Sequence, residues 1–273
     1  MIEQFDIRES ADIEPEDSYL AMQLGRYHFS FCIYDPIAQQ LLQLKRYHFD
    51  FLNTDILDQI MVANPSLEGS FDKIMTALDF GISALLPQAL STGDSTPLMY
   101  LEQADPQDHV IREYLDDQKI THLYTVPFNI LNWMVQHFPS SGFLHAYSVR
   151  IKNIKNAGAP GIISIDVQSE AFSCIVVKES TLQLARTYTY GSPEDMVFYL
   201  LKIAASFGLS QETVQLEISG LIDADSKLYK AVYDYFLNVT FKQVQWIDRI
   251  SGLPAHYFTS LNELTICELL QEA

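Results

Sequence analysis

A three-strand pattern, laid down near the start of the chain and again past its midpoint, constrains the fold more than any other feature. An apolar run over 19–24 meets a polar break at 25–27, and a second run covers 28–34. After the turn signal Asp35-Pro36 a third run spans 41–49. The pattern returns after Gly161, with strands expected over 162–167, 171–178 and 181–190, separated by a break at 168–170 and a turn at Glu179 and Ser180. Phe29-Ser30 falls on Phe172-Ser173, and Leu42-Gln43-Leu44-x-Arg46 on Leu182-Gln183-Leu184-x-Arg186, with one small deletion in the second turn. A recurrence that preserves the order of strand, turn and strand points to internal duplication.

Each meander leads into alternating helices and strands. In the second half Ser192 is an N-cap, Pro193 fits the first helical position, and Glu194 and Asp195 complement the positive helix end. Val197, Leu200, Leu201 and Ala204 supply the apolar stripe and Gly208 the stop. A strand over 214–219, a helix over 227–237, a closing strand over 241–247 and a last helix over 260–270 follow. In the first half a helix is expected over 54–63, ended by Asn64-Pro65. The stretch 71–86 reads as a hairpin turning at 79–81, with a helix as the alternative. Residues 91–107 read as a long loop or inserted excursion, 120–126 as a strand and 128–137 as a helix. The acidic stretch 1–18 reads as a flexible or loosely packed leader, and 156–160 as a turn-rich link. The expected organisation is α/β, with a first lobe over 19–157 and a second over 158–273.

Composition sets the bounds. With 273 residues, 48% of them hydrophobic, the chain can fill two cores. Lys and Arg number 17 against 35 Asp and Glu, a net charge of -18, which sets the chain against phosphate backbones and anionic lipid. The densest basic stretch holds only Arg150, Lys152 and Lys155. Neither a secretory signal nor a bilayer-spanning apolar run is read, so a cytoplasmic protein without membrane insertion is expected. Cys32, Cys174 and Cys267 have apolar neighbours and no Cys-x-x-Cys spacing, the pattern of reduced core thiols.

A three-stranded meander followed by alternating helix and strand, twice in one chain, resembles the actin-like ATPase (ribonuclease H-like) superfamily of actin, heat-shock 70 chaperones, hexokinases and bacterial actin homologues. More narrowly it resembles an uncharacterised bacterial family with that fold. The resemblance implies two lobes, each with a mixed sheet flanked by helices. In active members it also implies an Asp-x-Gly turn between the first two strands of each half. There backbone N–H groups cradle phosphate oxygens and the carboxylate holds hydrated magnesium. Here the first turn reads Gln23-Leu24-Gly25-Arg26-Tyr27, with the glycine kept and the acid lost. The second reads Asp166-Val167-Gln168-Ser169-Glu170, with the acid kept, the glycine replaced and a further negative charge added. The paired glycines that would pack against adenosine are matched only by Ile218-Ser219-Gly220, with Leu221 next.

The candidate cofactor-binding residues carried over are therefore Gln23, Gly25, Arg26, Asp166, Gln168, Ser169 and Gly220. No catalytic residue, metal ligand or resident cofactor is assigned. The implied function is a non-catalytic scaffold or regulatory module with a protein partner, a second copy of the chain among the candidates. Two alternatives stand beside it. One is an atypical ATP-binding phosphotransferase or ATPase, in which Asp166 holds magnesium while Gly25 and Ser169 approach phosphate. The other is a peptide-binding adaptor resembling the pilus-assembly actin homologues.

Residues outside the turns have structural readings. Asp166 itself reads equally as a turn-forming strand end, and Gly220 as a plain turn or a close backbone approach. Arg-Tyr-His-Phe occurs twice, at 26–29 and 46–49, placing His28 and His48 on neighbouring strands. Two histidines do not complete a zinc site, and packing in the sheet is expected of them. No phosphate loop, dinucleotide fingerprint, zinc-protease or nucleophile-elbow motif occurs. Tyr229, Tyr233, Tyr235 and Phe236 exceed what one helix face can bury, which leaves aromatic surface suited to a protein interface.

Overall fold

The computed structural model describes residues 1–8, 17–80, 82–91, 105, 107–154, 160–244 and 253–267. The chain forms two compact units, Met1–Val149 with Ser260–Ala273, and Arg150–Thr259. This division differs from the expected lobes, because the C-terminal segment belongs with the first unit.

In the first unit six strands lie in one sheet. They are β1 (Ile2–Arg8), β2 (Tyr19–Gly25), β3 (His28–Asp35), β4 (Gln40–His48), β5 (Lys73–Asp79) and β9 (Gly142–His145), in the order β1-β4-β3-β2-β5-β9. A second, three-stranded antiparallel sheet holds β6 (Ser83–Pro87), β7 (His109–Leu115) and β8 (Ile120–Val126), in the order β6-β8-β7. Strands β2, β3 and β4 are buried almost throughout, which accounts for their near-continuous apolar runs. Helix α1 (Thr54–Ala63) begins where Asn53 accepts a hydrogen bond from the Ile56 N–H and ends at Asn64, ahead of Pro65. It buries Leu57 and Ile60 in the same core as Ile130, Trp133 and Met134 of α2 (Phe128–His137). Trp133 Nε1 donates to Asp58 Oδ1 at 2.7 Å and ties the two helices together. Helix α3 (Ala146–Asn153) follows β9 without a loop.

Among its described residues the second unit has one sheet, β12-β11-β10-β13-β14. Its strands are β10 (Ile162–Val167), β11 (Ala171–Lys178), β12 (Thr181–Thr189), β13 (Gln215–Gly220) and β14 (Asn238–Phe241). Helix α4 (Pro193–Ser206) opens with the capping box of Ser192 and Asp195 and buries Met196, Val197, Leu200, Ile203 and Ala204. Gly208, at φ +61°, lets the chain leave this helix in the left-handed region that glycine tolerates best. Helix α5 (Lys227–Tyr233) is capped by Ser226; α6 (Thr259–Ile266), the last element among the described residues, falls from Ser260 onward in the first unit. Arg150 is buried beneath this sheet, donating to the carbonyl and hydroxyl oxygens of both Ser164 and Ser173.

The two units repeat one topology, since β4-β3-β2-β5-β9 matches β12-β11-β10-β13-β14 strand for strand, with β4, β3 and β2 antiparallel and the remaining pairs parallel. An irregularity falls between Ile33 and Tyr34 in one meander and between Val176 and Val177 in the other, the same place in each. Register nevertheless corrects one part of the sequence match. Cys32 pairs with Leu44, whereas its counterpart Ile175 pairs with Ala185, so the Leu-Gln-Leu-x-Arg segments are offset by one residue.

Other expectations are also revised. Residues 71–86 contain two strands but no hairpin, because β5 pairs with β2 and β9 while β6 pairs with β8 in the other sheet. The acidic start is strand β1, paired antiparallel with β4, and is no loose leader over residues 2–8. Helix α5 stops at Tyr233 and the closing strand begins earlier than expected, at Asn238. The expected loop over 91–107 and link over 156–160 lie largely outside the described residues. Cys32, Cys174 and Cys267 are buried, and burial pushes the Cys174 thiol up to about 12.

Candidate functional site

The hairpin tip of each unit lies where two strands of the meander turn and the next parallel strand ends alongside. In the first unit Gln23 sits opposite Ser30 on β3 and Ala77 on β5, and in the second Asp166 sits opposite Ser173 on β11 and Ser219 on β13. Gln23 and Asp166 therefore hold equivalent positions, as do Gly25 and Gln168.

At the first tip the Gln23 amide is engaged at both ends. Its oxygen accepts from Ser260 Oγ at 2.6 Å, and its nitrogen donates to Asp79 Oδ2 at 3.4 Å. Asp79 pairs in register with Gly25. Sequence reasoning placed Asp79 in a turn; only its parallel pairing across β2 brings a carboxylate to this tip. The same carboxylate lies 3.9 Å from His28 Nε2. Burial first, and then the nearby Arg46 and His48 charges, hold His28 well below the ordinary histidine range, so it faces Asp79 as a neutral ring. His28 pairs directly with His48, as expected of neighbouring strands. Among the described residues no group of three or more His, Cys, Asp or Glu side chains is arranged to hold a metal ion.

Space at Gly25 is tight. A Cβ there would lie 2.5 Å from His28 Cε1 and 3.1 Å from the Asp79 carbonyl oxygen. Arg26 and Tyr27 form the exposed turn, with the Tyr27 carbonyl accepting from Phe49 N–H at 3.0 Å.

At the second tip Asp166 is buried, and both carboxylate oxygens have protein donors. Gln168 Nε2 donates to Oδ1 at 2.6 Å and Ser219 Oγ to Oδ2 at 2.9 Å. The residue in the position of the glycine thus reaches back to occupy the acid. Gln168 is itself braced, its N–H donating to the Ala171 carbonyl at 2.8 Å and its own carbonyl accepting from Tyr190 OH at 2.7 Å. Ser169 and Glu170 are exposed at the turn. Gly220 resolves its two sequence readings in favour of a close backbone approach. It has φ +86°, and a Cβ would lie 2.2 Å from the Val167 carbonyl oxygen, while Leu221 N–H donates to that oxygen at 2.7 Å. The approach that glycine permits here is to the unit's own strand.

A concavity of about 300 Å³ lies at the far end of the same sheet from Asp166, lined by Pro160, Gly161, Lys178, Gly208, Leu209 and Val214 among others. Its cation, Lys178, donates to the Phe207 carbonyl at 2.8 Å at the C-terminus of α4. The expected aromatic surface sits elsewhere on this unit. Phe236 is fully buried, whereas Tyr233, Tyr235 and Leu237 are 56%, 50% and 70% exposed.

Comparison with solved structures agrees with this architecture. A Bacteroides thetaiotaomicron VPI-5482 protein with an actin-like ATPase fold and unknown function superposes with a TM-score of 0.79 at 18% identity, over 94% of this chain and all of that one. A type IV pilus biogenesis complex of PilM and PilN matches at TM-score 0.64 and 9% identity, over 90% of this chain and 97% of that one. The ethanolamine utilization protein EutJ of Carboxydothermus hydrogenoformans matches at 0.52 and 10%, over 92% of this chain and 90% of that one. At these identities the likeness establishes the actin-like ATPase fold alone. No curated protein matches significantly in sequence. Residues 8–239 match a family described as a protein of unknown function, and on that match, together with the repeated sheets above, the chain belongs to the DUF3822 family.

Proposed function

We propose that this chain is a non-catalytic actin-like scaffold or regulatory module that works in the cytoplasm by binding a protein partner, with a second copy of the chain among the candidates. The observation that carries the reading is the state of the second tip. A magnesium ion with its phosphates needs free carboxylate oxygens and close-approaching backbone N–H groups. Asp166 instead has one oxygen taken by Gln168 and the other by Ser219. At the equivalent place in the first unit stands the neutral Gln23, held by Ser260 and Asp79. The donor set does not fit a hydrated metal and a triphosphate. The exposed Tyr233, Tyr235 and Leu237 supply surface of the kind that protein interfaces use. The likeness to a pilus biogenesis complex adds that this fold serves in protein assemblies.

The atypical ATPase remains the second reading because one buried carboxylate, Asp166, stands next to the last residue of β10. Thermal unfolding with and without millimolar ATP and magnesium separates the two. The scaffold predicts an unchanged melting temperature, and a rise of several degrees favours the ATPase.

A further inference from the structure

Strand β1 is attached to its sheet in an unusual way. Among the described residues it pairs only with β4 and lies at the sheet edge, while the next described strand, β2, is three places away in the order β1-β4-β3-β2. Five of its seven residues are exposed, and only Phe5 and Ile7 are half-buried. Little apolar surface holds it. Strand β4, in contrast, is buried over seven of its nine residues, as an interior strand would be.

What fixes β1 is a set of polar side chains built into β4. Lys45, with a side chain 4% exposed, sets its ammonium 3.1 Å from Glu3 Oε2 and 3.0 Å from Asp6 Oδ2. Tyr47 OH donates to Glu3 Oε2 at 3.0 Å, and Arg46 Nε donates to Gln4 Oε1 at 3.0 Å. Side chains three apart on a regular strand face opposite sides. Here the register shifts between Glu3 and Phe5, and this bulge turns Glu3 and Asp6 to the same face, onto one lysine. The β4 edge therefore recognises an extended strand with two acids at that spacing and a bulge between them.

We propose that this edge is an exchangeable strand-binding site, and that its occupant in an assembled form is β1 of a second copy of the chain. Exchange between copies reproduces every hydrogen bond and ion pair of the clasp, and only the entropy of association opposes it. Exchange of β1 leaves the buried core of the unit intact, because β1 contributes no residue to that cluster. The inference does not depend on whether the hairpin tips bind a nucleotide.

The test uses two full-length variants. One carries Ile2→Cys and the other His48→Cys, positions that pair across β1 and β4. Mixed at high concentration under mild oxidation, they are expected to give a disulfide-linked heterodimer. Excess synthetic peptide of residues 1–8 should reduce its yield several-fold, and the same peptide with Glu3→Gln and Asp6→Asn should not. A chain carrying both cysteines reports whether the pair can bridge at all. If that chain cross-links internally while the mixture gives no heterodimer, β1 stays in its own chain and the proposal fails. It fails equally if a heterodimer forms at the same yield when Glu3→Gln and Asp6→Asn are placed in the Ile2→Cys chain, since the clasp then plays no part.

Discussion

Gln168 and Asp166, two residues apart on one hairpin tip, are joined by a 2.6 Å hydrogen bond from the amide Nε2 to the carboxylate Oδ1. Gln168, at the position that Gly25 holds in the first tip, thereby satisfies one oxygen of the acid. Gln168→Ala removes a hydrogen bond to a charged group that is buried on one side, so a stability loss of roughly 1–3 kcal/mol is expected. Urea unfolding measures it, with an unchanged m-value showing that the fold is intact.

Gly220 and Gly25 are predicted to differ in their tolerance of alanine. At Gly220 a methyl group meets the Val167 backbone at 2.2 Å and φ is +86°, so strain and overlap act together. A loss of more than about 3 kcal/mol, or failure to accumulate as folded protein, is expected. At Gly25 the nearest atoms belong to the His28 ring, which can shift, although the Asp79 carbonyl at 3.1 Å limits the relief. A smaller loss, about 1–2 kcal/mol, is expected there by the same measurement.

How far the sequence reveals this protein depends on which contacts define each element. Strands β2, β3, β4 and β10 were legible because burial on both faces leaves near-continuous apolar runs, and α4 because its cap, proline and first-turn acids are local. The separation of β5 from β6 was not legible. Two adjacent apolar runs look like a hairpin, and only pairing with distant β2 and β8 assigns them to different sheets. Strand β1 was hidden for a related reason, since its acids read as solvated until Lys45 is seen opposite them. At the tips the residue types were readable, and their positions agree with the register. The hydrogen-bonding partners Ser219, Ser260 and Asp79 come from elsewhere in the chain and left no local signal.

Acid is expected to destabilise the first unit through its buried histidines. His122 and His145 pack edge to face at 4.5 Å, His122 Nδ1 lies 2.8 Å from Ser148 Oγ, and His145 Nε2 lies 3.2 Å from the Phe80 carbonyl. Burial pushes His145 down to about 4, partly opposed by that carbonyl, and burial with the neighbouring His145 holds His122 well below 6.5. Because both values are lowered on folding, the unfolded chain takes up protons first as pH falls. Stability is then complete above about 6.5 and is lost progressively down to about 4 for His145. Melting temperature should fall across that window, and His145→Gln should flatten the slope even if it lowers the plateau. An unchanged slope in that variant contradicts the assignment.

Surface substitutions on the second unit should separate stability from association. Tyr233→Ser and Leu237→Ser remove exposed side chains, so unfolding free energy should change by no more than about 0.5 kcal/mol. A larger loss measured by urea unfolding would mean that these side chains are buried in the free protein.

The central claim is that the hairpin tips no longer hold a metal and a chain of phosphates, and isothermal titration of ATP with magnesium into the full-length chain tests it most directly. The account predicts no saturable heat up to millimolar nucleotide. Saturable binding at one ATP per chain, abolished by Asp166→Asn, would contradict it.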